Sequence, residues 1–290
     1  MYDHVLTEDA DVLKPDGTVL LKFRKAVLPL NLCIDSLPVW EEAATPSMNR
    51  GLAAGIVVPD ENGEVKGRKV VPGRPGAARV KFVKKDGTVT KKSDANKVLS
   101  GTLGFLGATS RNPYCRMTAF TASEVPKFVQ CLPLLEYIDE VFSSLMPERH
   151  AAQMEYWKRT HEDFRIPGTS FTTITANKNF RTAIHRDSGD LKQGFGVMTA
   201  FNRGNYRRGY TVFPKFRVAV DMRTTDLLVC DVHEYHGNDE IVGLPGTWTR
   251  ISLVCYYQEK LAQCKSAEEE RLRAIRTTEE TYQKQDKELF

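Results

Sequence analysis

No run of eighteen apolar residues occurs in this chain, and its start, Met1-Tyr-Asp-His4, lacks a basic-then-apolar region. Neither a membrane-spanning helix nor a secretory leader is therefore expected, and the expected setting is intracellular, in the cytoplasm, a host cell's interior or the nucleus. Cysteine is sparse: Cys33, Cys115, Cys131, Cys230, Cys255 and Cys264 are scattered without Cys-X-X-Cys spacing. That pattern indicates neither a zinc module nor a disulfide framework, and reduced thiols are expected, several of them in core strands. No internal repeat is visible. What is present is 290 residues with 41% hydrophobic content, enough to bury one substantial core.

Net charge is only +4, but it is unevenly spread. Between Lys66 and Lys97 stand eleven Lys and Arg residues, among them Arg74, Arg79, Lys81, Lys84, Lys85, Lys91 and Lys92, against two acids, Asp86 and Asp94. Val80, Phe82, Val83 and Val89 are interleaved around an Asp86-Gly87 turn, the signature of a basic hairpin. Such a ribbon could attract nucleic-acid phosphates, or it could be a solvated, lysine-protected sheet edge.

Elsewhere, Thr18 to Phe23 reads as a strand after a turn, and Pro38 to Ala44 as a short helix. Gly51 to Gly76, rich in Gly and Pro, reads as an insertion. Ser123 is placed to cap the helical apolar series from Phe128 to Leu145, and a second helix is expected from Glu148 to about Thr160. Short alternating runs from Thr169 to Tyr257 predict a strand-dense half, and the charged tail from Ser266 a solvent-exposed helix or frayed end.

The chemistry is concentrated in His185-Arg186-Asp187, with His236 and Arg250 downstream. Two imidazoles and one carboxylate can occupy one face of an octahedral ferrous ion and leave three sites open. At the end of a strand, residues i and i+2 share a face, so His185 and Asp187 would converge while Arg186 turns away. His236 follows the buried run Asp226–Cys230, and in the alternating run Thr249–Tyr257 Arg250 shares a face with Ser252, where a cation and a hydroxyl can clamp a dicarboxylate. A His-X-Asp tripeptide alone also suits an ordinary surface pair; it is the order of the distal His-Gly and Arg-X-Ser that favours a metal.

Phe171–Asn177, Asn179–Asp190, Gly209–Pro214, Asp231–Asn238 and Arg250–Tyr257 together resemble the TET/J-binding-protein family of iron(II)- and 2-oxoglutarate-dependent dioxygenases. The likeness is strongest to the J-binding-protein-like branch, which also holds viral (phage) and algal members, and it runs from Gly107 to Gln263. It implies an α+β fold with a double-stranded β-helix (jelly-roll) core and flanking helices. The expected organisation is 1–106 as an N-terminal extension carrying the basic hairpin, 107–264 as the core, and 265–290 as a charged helix or tail. Iron is expected on His185, Asp187 and His236, 2-oxoglutarate on Arg250 with Ser252, and O2 at the remaining site; ascorbate, which algal relatives use, is the alternative co-substrate. His233 competes with His236 as distal ligand, but the family's distal histidine precedes a small residue, as His236 precedes Gly237.

The implied substrate is the 5-methyl group of 5-methylcytosine or thymine in DNA, attacked by hydrogen abstraction after base extrusion, with the protein acting as a monomer. An ionised Asp190 would accept from the cytosine amino group and favour 5-methylcytosine, and the thymine-preferring J-binding proteins carry an added DNA-recognition domain for which this chain has no room. Candidate DNA contacts are Lys81, Lys84 and Lys85, Arg111 and Arg116 around Tyr114, and Arg203, Tyr206, Arg207 and Arg208 in an expected hairpin loop near the iron. For Arg111 and Arg116 the other reading is loop anchoring at a junction. The same iron triad also serves hydroxylases of proteins and metabolites.

Overall fold

Along the strand Trp248–Tyr256, Ile251, Leu253 and Cys255 are buried against helices, while Arg250, Ser252, Val254 and Tyr256 line a cavity on the other face. That alternation, one residue in and one out, organises the whole molecule. The computed structural model describes residues 2–71 and 76–287, with side chains as far as Thr281; Arg74 lies outside the described residues.

Strands of the two main sheets are numbered here in chain order. The larger sheet is antiparallel and runs Arg116–Met117 (β6), Val98–Leu106 (β5), Thr173–Lys178 (β7), Trp248–Tyr256 (β13), Gly196–Gly204 (β8), Leu227–Cys230 (β11), Val19–Arg24 (β3) and Ala10–Leu13 (β2), with Pro46–Ser47 (β4) paired to β5. The smaller sheet is His4–Leu6 (β1), Val218–Val220 (β10), Thr211–Phe213 (β9) and Gly237–Asn238 (β12). Facing sheets of this kind form the expected jelly roll. Leu20, Phe23, Met198, Phe213, Val220, Leu228 and Val232 fill the space between the sheets at one end. At the other end that space stays open as the cavity. The start of the Gly107–Gln263 resemblance falls immediately after β5, which lies between β6 and β7 in the large sheet.

The outer face of the large sheet is covered by α1 (Leu30–Ala43), α2 (Ala119–Ser123), α3 (Val125–Gln130), α4 (Leu132–Leu145) and α5 (Pro147–Arg159), through Trp40, Leu135, Ile138 and Phe142. α1 is longer than the expected Pro38–Ala44 helix. Its buried residues Cys33, Ser36, Val39, Trp40 and Ala43 already carry the helical period ahead of Pro38. The apolar series after Ser123 is broken into α3 and α4, because Pro126 and Pro133 each sit at the start of a new helix. Ser123 ends α2 instead of capping a helix, and Thr118 is the residue whose side chain accepts from the Thr121 amide. The charged tail is α6 (Ala267–Lys287).

Two further expectations change. Cys115 and Cys264 are bonded to each other, tying the loop before β6 to the segment before α6 across 149 residues; Cys33, Cys131, Cys230 and Cys255 are free and buried. Spacing could not pair two cysteines that only the sheet brings together. Residues 202–209 are no hairpin: they cross from β8 in the large sheet to β9 in the small one, and Arg207–Arg208 pairs with Ile241–Val242. The basic ribbon does turn at Asp86-Gly87, where Lys84 N donates to Thr88 O at 2.7 Å. Among the described residues no helix is long and apolar enough to cross a membrane.

Candidate metal and co-substrate site

His185 and His236 form an isolated antiparallel bridge that extends the small sheet past β12, with Asn238 N also donating to Thr182 O at 2.9 Å. Asp187 follows with its amide on Val232 O at 3.0 Å. His185 Nε2 lies 3.4 Å from Asp187 Oδ1, and His236 Nε2 lies 3.6 Å from Asp187 Oδ2. One ligand atom from each of the three residues falls within 4.8 Å of the others. The imidazoles are oriented by the backbone: His185 Nδ1 sits 2.8 Å from Ala183 O and His236 Nδ1 3.0 Å from Glu234 O. A carbonyl beside each Nδ1 favours the tautomer protonated there, in which Nε2 would be available to a cation.

Gly237 explains the small residue after the distal histidine. A Cβ there would meet Ala183 O and Ile184 Cδ1 at 2.9 Å each, so only glycine lets the two ligand-bearing segments approach. His233 is not in the triad. Its ring spans the loop behind it, with Nδ1 3.1 Å from Asp187 O and Nε2 3.2 Å from Leu191 O, an outer contact that holds the segment carrying Asp187.

The three side chains shift one another's charge states. Burial opposes the charge on Asp187, but the His185 hydrogen bond and the nearby imidazoles hold its carboxyl below the usual range. Burial likewise opposes charge on His185, which the hydrogen bond and charge of Asp187 outweigh, raising it; burial prevails for His236, which is lowered. Two neutral imidazoles and a carboxylate suit a ferrous ion, so the donor set fits the expected metal.

Arg250 is 3% exposed and shares a cavity of about 500 Å³ with the triad. Its backbone is pinned by Asn179, whose Oδ1 accepts from Arg250 N at 2.8 Å and whose own amide donates to Arg250 O at 2.8 Å. Burial pushes the guanidinium below its ordinary value and the Tyr206 phenol counters this, yet arginine stays charged. Ser252 lies two residues along the same face and also lines the cavity, so a carboxylate has both a cation and a hydroxyl available.

Asp190 lines the cavity from the loop that bridges to Gln258. Burial first, and then the charge of Asp187, push its carboxyl well above the usual range, toward the neutral acid. A carboxyl shifted toward its neutral form can donate as well as accept, so Asp190 by itself does not select between the two pyrimidines.

The expected DNA contacts are dispersed. Lys81, Lys84 and Lys85 are exposed on the ribbon, whose Arg79 ties back to Met48 O at 2.7 Å. Arg203 is paired with Glu41, and Arg208 with Asp239 at 2.9 Å. Tyr206 turns inward to Asn202 and packs on Trp248, close to Arg250. Arg207 and Arg111 are exposed, and Arg116 has a buried Nη1 beside the loop whose Cys115 amide donates to Glu270 of α6 at 2.8 Å. None of these side chains lines the cavity.

Other lining residues were not singled out by the sequence. Thr175 and Asn177 of β7, Tyr256 of β13, and the segment Asn49–Ala53 form one wall. Arg50 arrives from a Gly- and Pro-rich region that shows no periodicity.

Comparison with known proteins agrees with this geometry. Residues 107–259 match the Tet_JBP family, described as the oxygenase domain of the 2OGFeDO superfamily. Thymine dioxygenase JBP1 of Crithidia fasciculata is 37% identical over 160 residues, covering 54% of this chain and 19% of that protein. Bifunctional helicase and thymine dioxygenase JBP2 of Leishmania tarentolae is 35% identical over 147 residues, 51% of this chain and 13% of that protein. The chain thus matches less than a fifth of the length of these curated relatives. The structure of NgTET1 in complex with 5mC DNA shares the fold with a TM-score of 0.58 at 16% identity, covering 90% of this chain and 80% of that one. With the family match spanning more than half of its length, the chain belongs to the Tet_JBP oxygenase family of the 2OGFeDO superfamily, whose cofactors are iron(II) and 2-oxoglutarate.

Proposed function

We propose that this protein is an iron(II)- and 2-oxoglutarate-dependent dioxygenase that hydroxylates the 5-methyl group of a pyrimidine in DNA. The observation that carries the reading is the single cavity in which His185, Asp187 and His236 share space with Arg250 and Ser252. His185, Asp187 and His236 would hold the metal; Arg250 would neutralise the distal carboxylate of 2-oxoglutarate and Ser252 donate to it. Iron(II) with 2-oxoglutarate and O2 supplies the oxidising power to break a methyl C–H bond and return a hydroxyl. Asp190 would receive the polar edge of the base. The core would be 107–264, with 1–106 adding strands, one cavity wall and the basic ribbon, and 265–290 a charged C-terminal segment whose helix Ala267–Lys287 follows the disulfide at Cys264; the monomer would suffice, in a compartment that holds DNA.

A triad recessed in a cavity cannot reach a methyl group inside a duplex, so the base must be extruded, costing a few kcal/mol that phosphate contacts offset. Exposed Lys81, Lys84 and Lys85 are the first candidates, with Arg111 and Arg207 next. Thymine is the favoured base, because the relatives named as thymine dioxygenases share 35% and 37% identity. The second reading is 5-methylcytosine, supported by the 5mC DNA complex of the fold neighbour.

The test supplies iron(II), 2-oxoglutarate and paired oligonucleotides, one containing 5-methylcytosine and one with thymine as its only 5-methylpyrimidine, followed by nucleoside mass spectrometry. Hydroxymethyluracil is the expected product; hydroxymethylcytosine alone would select the second base. Succinate without an altered base would replace the DNA reading with a protein or metabolite hydroxylase. Turnover with ascorbate in place of 2-oxoglutarate would remove the role given to Arg250.

A further inference from the structure

Arg50 is a cation in the cavity whose contacts are all neutral. Its Nε donates to Ser100 Oγ at 2.6 Å, Nη1 to Thr175 Oγ1 at 3.3 Å, and Nη2 to Gly101 O at 3.0 Å and Thr102 Oγ1 at 2.9 Å. A guanidinium has five N–H donors; these contacts use four and leave one on Nη1. Such a clamp orients the group without neutralising it. Burial pushes Arg50 below its ordinary value, while the Tyr256 phenol and, less, the charge of Asp187 counter this.

The fold fixes where this donor points. The Cβ that Gly101 lacks would lie 2.0 Å from Ala43 O, so the end of α1 rests directly on β5. The chain then pairs as β4 along β5 and crosses the sheet face at Arg50, and Ala53 O accepts from Ala183 N at 2.8 Å, two residues before His185. Thr102 pairs with Thr175 and Thr175 with Val254, four residues along β13 from Arg250, or about 13 Å of strand. Asp190 is bridged to Gln258, beyond that same end of β13. Along the cavity Arg250 therefore stands at one end and Tyr256 with Asp190 at the other, and Arg50 lies between them, its Nε on Ser100, which is in register with Ser252 through Asn177, and its Nη1 on Thr175, two residues further along the strand.

We propose that Arg50 is a specificity-determining residue that donates a hydrogen bond to a ring carbonyl oxygen of the extruded pyrimidine. This rests on the reading of the site as a pyrimidine dioxygenase. The phosphates of an extruded nucleotide stay at the rim with the backbone, whereas Arg50 lies within the cavity wall, so the base presents the acceptor. Both pyrimidines carry the 2-carbonyl; only thymine has a 4-carbonyl as well.

The test uses the full chain with iron(II) and 2-oxoglutarate. Wild type, Arg50→Lys and Arg50→Gln are compared on oligonucleotides carrying thymine, 2-thiothymine or 4-thiothymine at the target, and base extrusion is followed separately, without oxygen, by the fluorescence of an adjacent 2-aminopurine. Iron and 2-oxoglutarate affinities and the melting temperature serve as controls, and Thr102→Val, which loosens the clamp but keeps the charge, covers the case in which the Arg50 variants fail to fold. The expected result is a kcat/KM on thymine DNA lower by roughly ten- to a hundredfold with cofactor affinities unchanged, as for loss of a charged hydrogen bond. Wild type should discriminate against one thio analogue, which identifies the oxygen, and both Arg50 variants should lose that discrimination and the fluorescence signal; Thr102→Val should weaken both. Equal losses on all three substrates, or a matching loss of 2-oxoglutarate affinity, would overturn the proposal, as would unchanged turnover. A wild type that alters no base would instead refute the function on which the proposal rests.

Discussion

His185 and His236 exchange a pair of backbone hydrogen bonds, His185 N to His236 O at 2.8 Å and His236 N to His185 O at 2.9 Å. Two candidate iron ligands far apart in sequence are thus locked opposite one another, with ring centroids 4.6 Å apart. Gly237 makes the approach possible. Gly237→Ala would drive a Cβ to 2.9 Å from Ala183 O, the same carbonyl that orients His185. Iron affinity is expected to fall by about ten- to a hundredfold, the scale of losing an outer-sphere partner, with a smaller loss of thermal stability. Iron titration and a melting curve on the same sample check both.

Removing a ligand and removing its support should separate cleanly. His185→Ala, Asp187→Ala and His236→Ala are each expected to abolish stoichiometric iron binding with the fold retained. His233→Ala should still bind one iron per chain, more weakly, because its ring holds only the carbonyls of Asp187 and Leu191. If His233→Ala lost iron entirely while His236→Ala kept it, the distal ligand would be the other histidine.

At the co-substrate end, Arg250→Lys keeps a charge but not the planar fork. The apparent KM for 2-oxoglutarate should rise by roughly ten- to a hundredfold, with iron affinity unaffected, since the triad lies on the other sheet. Steady-state kinetics with calorimetric titration of 2-oxoglutarate reads this, and an unchanged KM would mean that Arg250 serves the fold alone.

Neutralising Lys81, Lys84, Lys85, Lys91 and Lys92 together should weaken DNA binding and flatten its dependence on salt, by about 0.9 in logarithmic slope for each phosphate that is no longer neutralised. Binding isotherms at several ionic strengths measure it. A slope identical to wild type returns the ribbon to a solvated edge.

The Cys115–Cys264 bond closes a long loop, so Cys264→Ser should cost about 5 kcal/mol in unfolding free energy by loop-closure entropy. Denaturant titration with and without reductant tests this. Wild type insensitive to reductant would show that the bond does not form in solution.

The sequence by itself determined the triad, Arg250 with Ser252, and the strand-dense half that carries them. Local rules suffice there: period-two alternation sets Arg250, Ser252, Val254 and Tyr256 on one face, and His185 and Asp187 are close along the chain. Helices were legible in existence but not at their ends, because Pro38 lies inside α1 and Pro126 and Pro133 restart the chain where apolar spacing alone reads on. Only the tertiary structure decided the rest. The Asn202–Gly209 loop proved to be a crossover between sheets, Cys115 met Cys264, and Arg50 entered the cavity from a segment without periodicity. Each of these depends on pairings between residues far apart in the chain, and a local pattern of apolar and polar residues carries no information about which distant segment will lie opposite it.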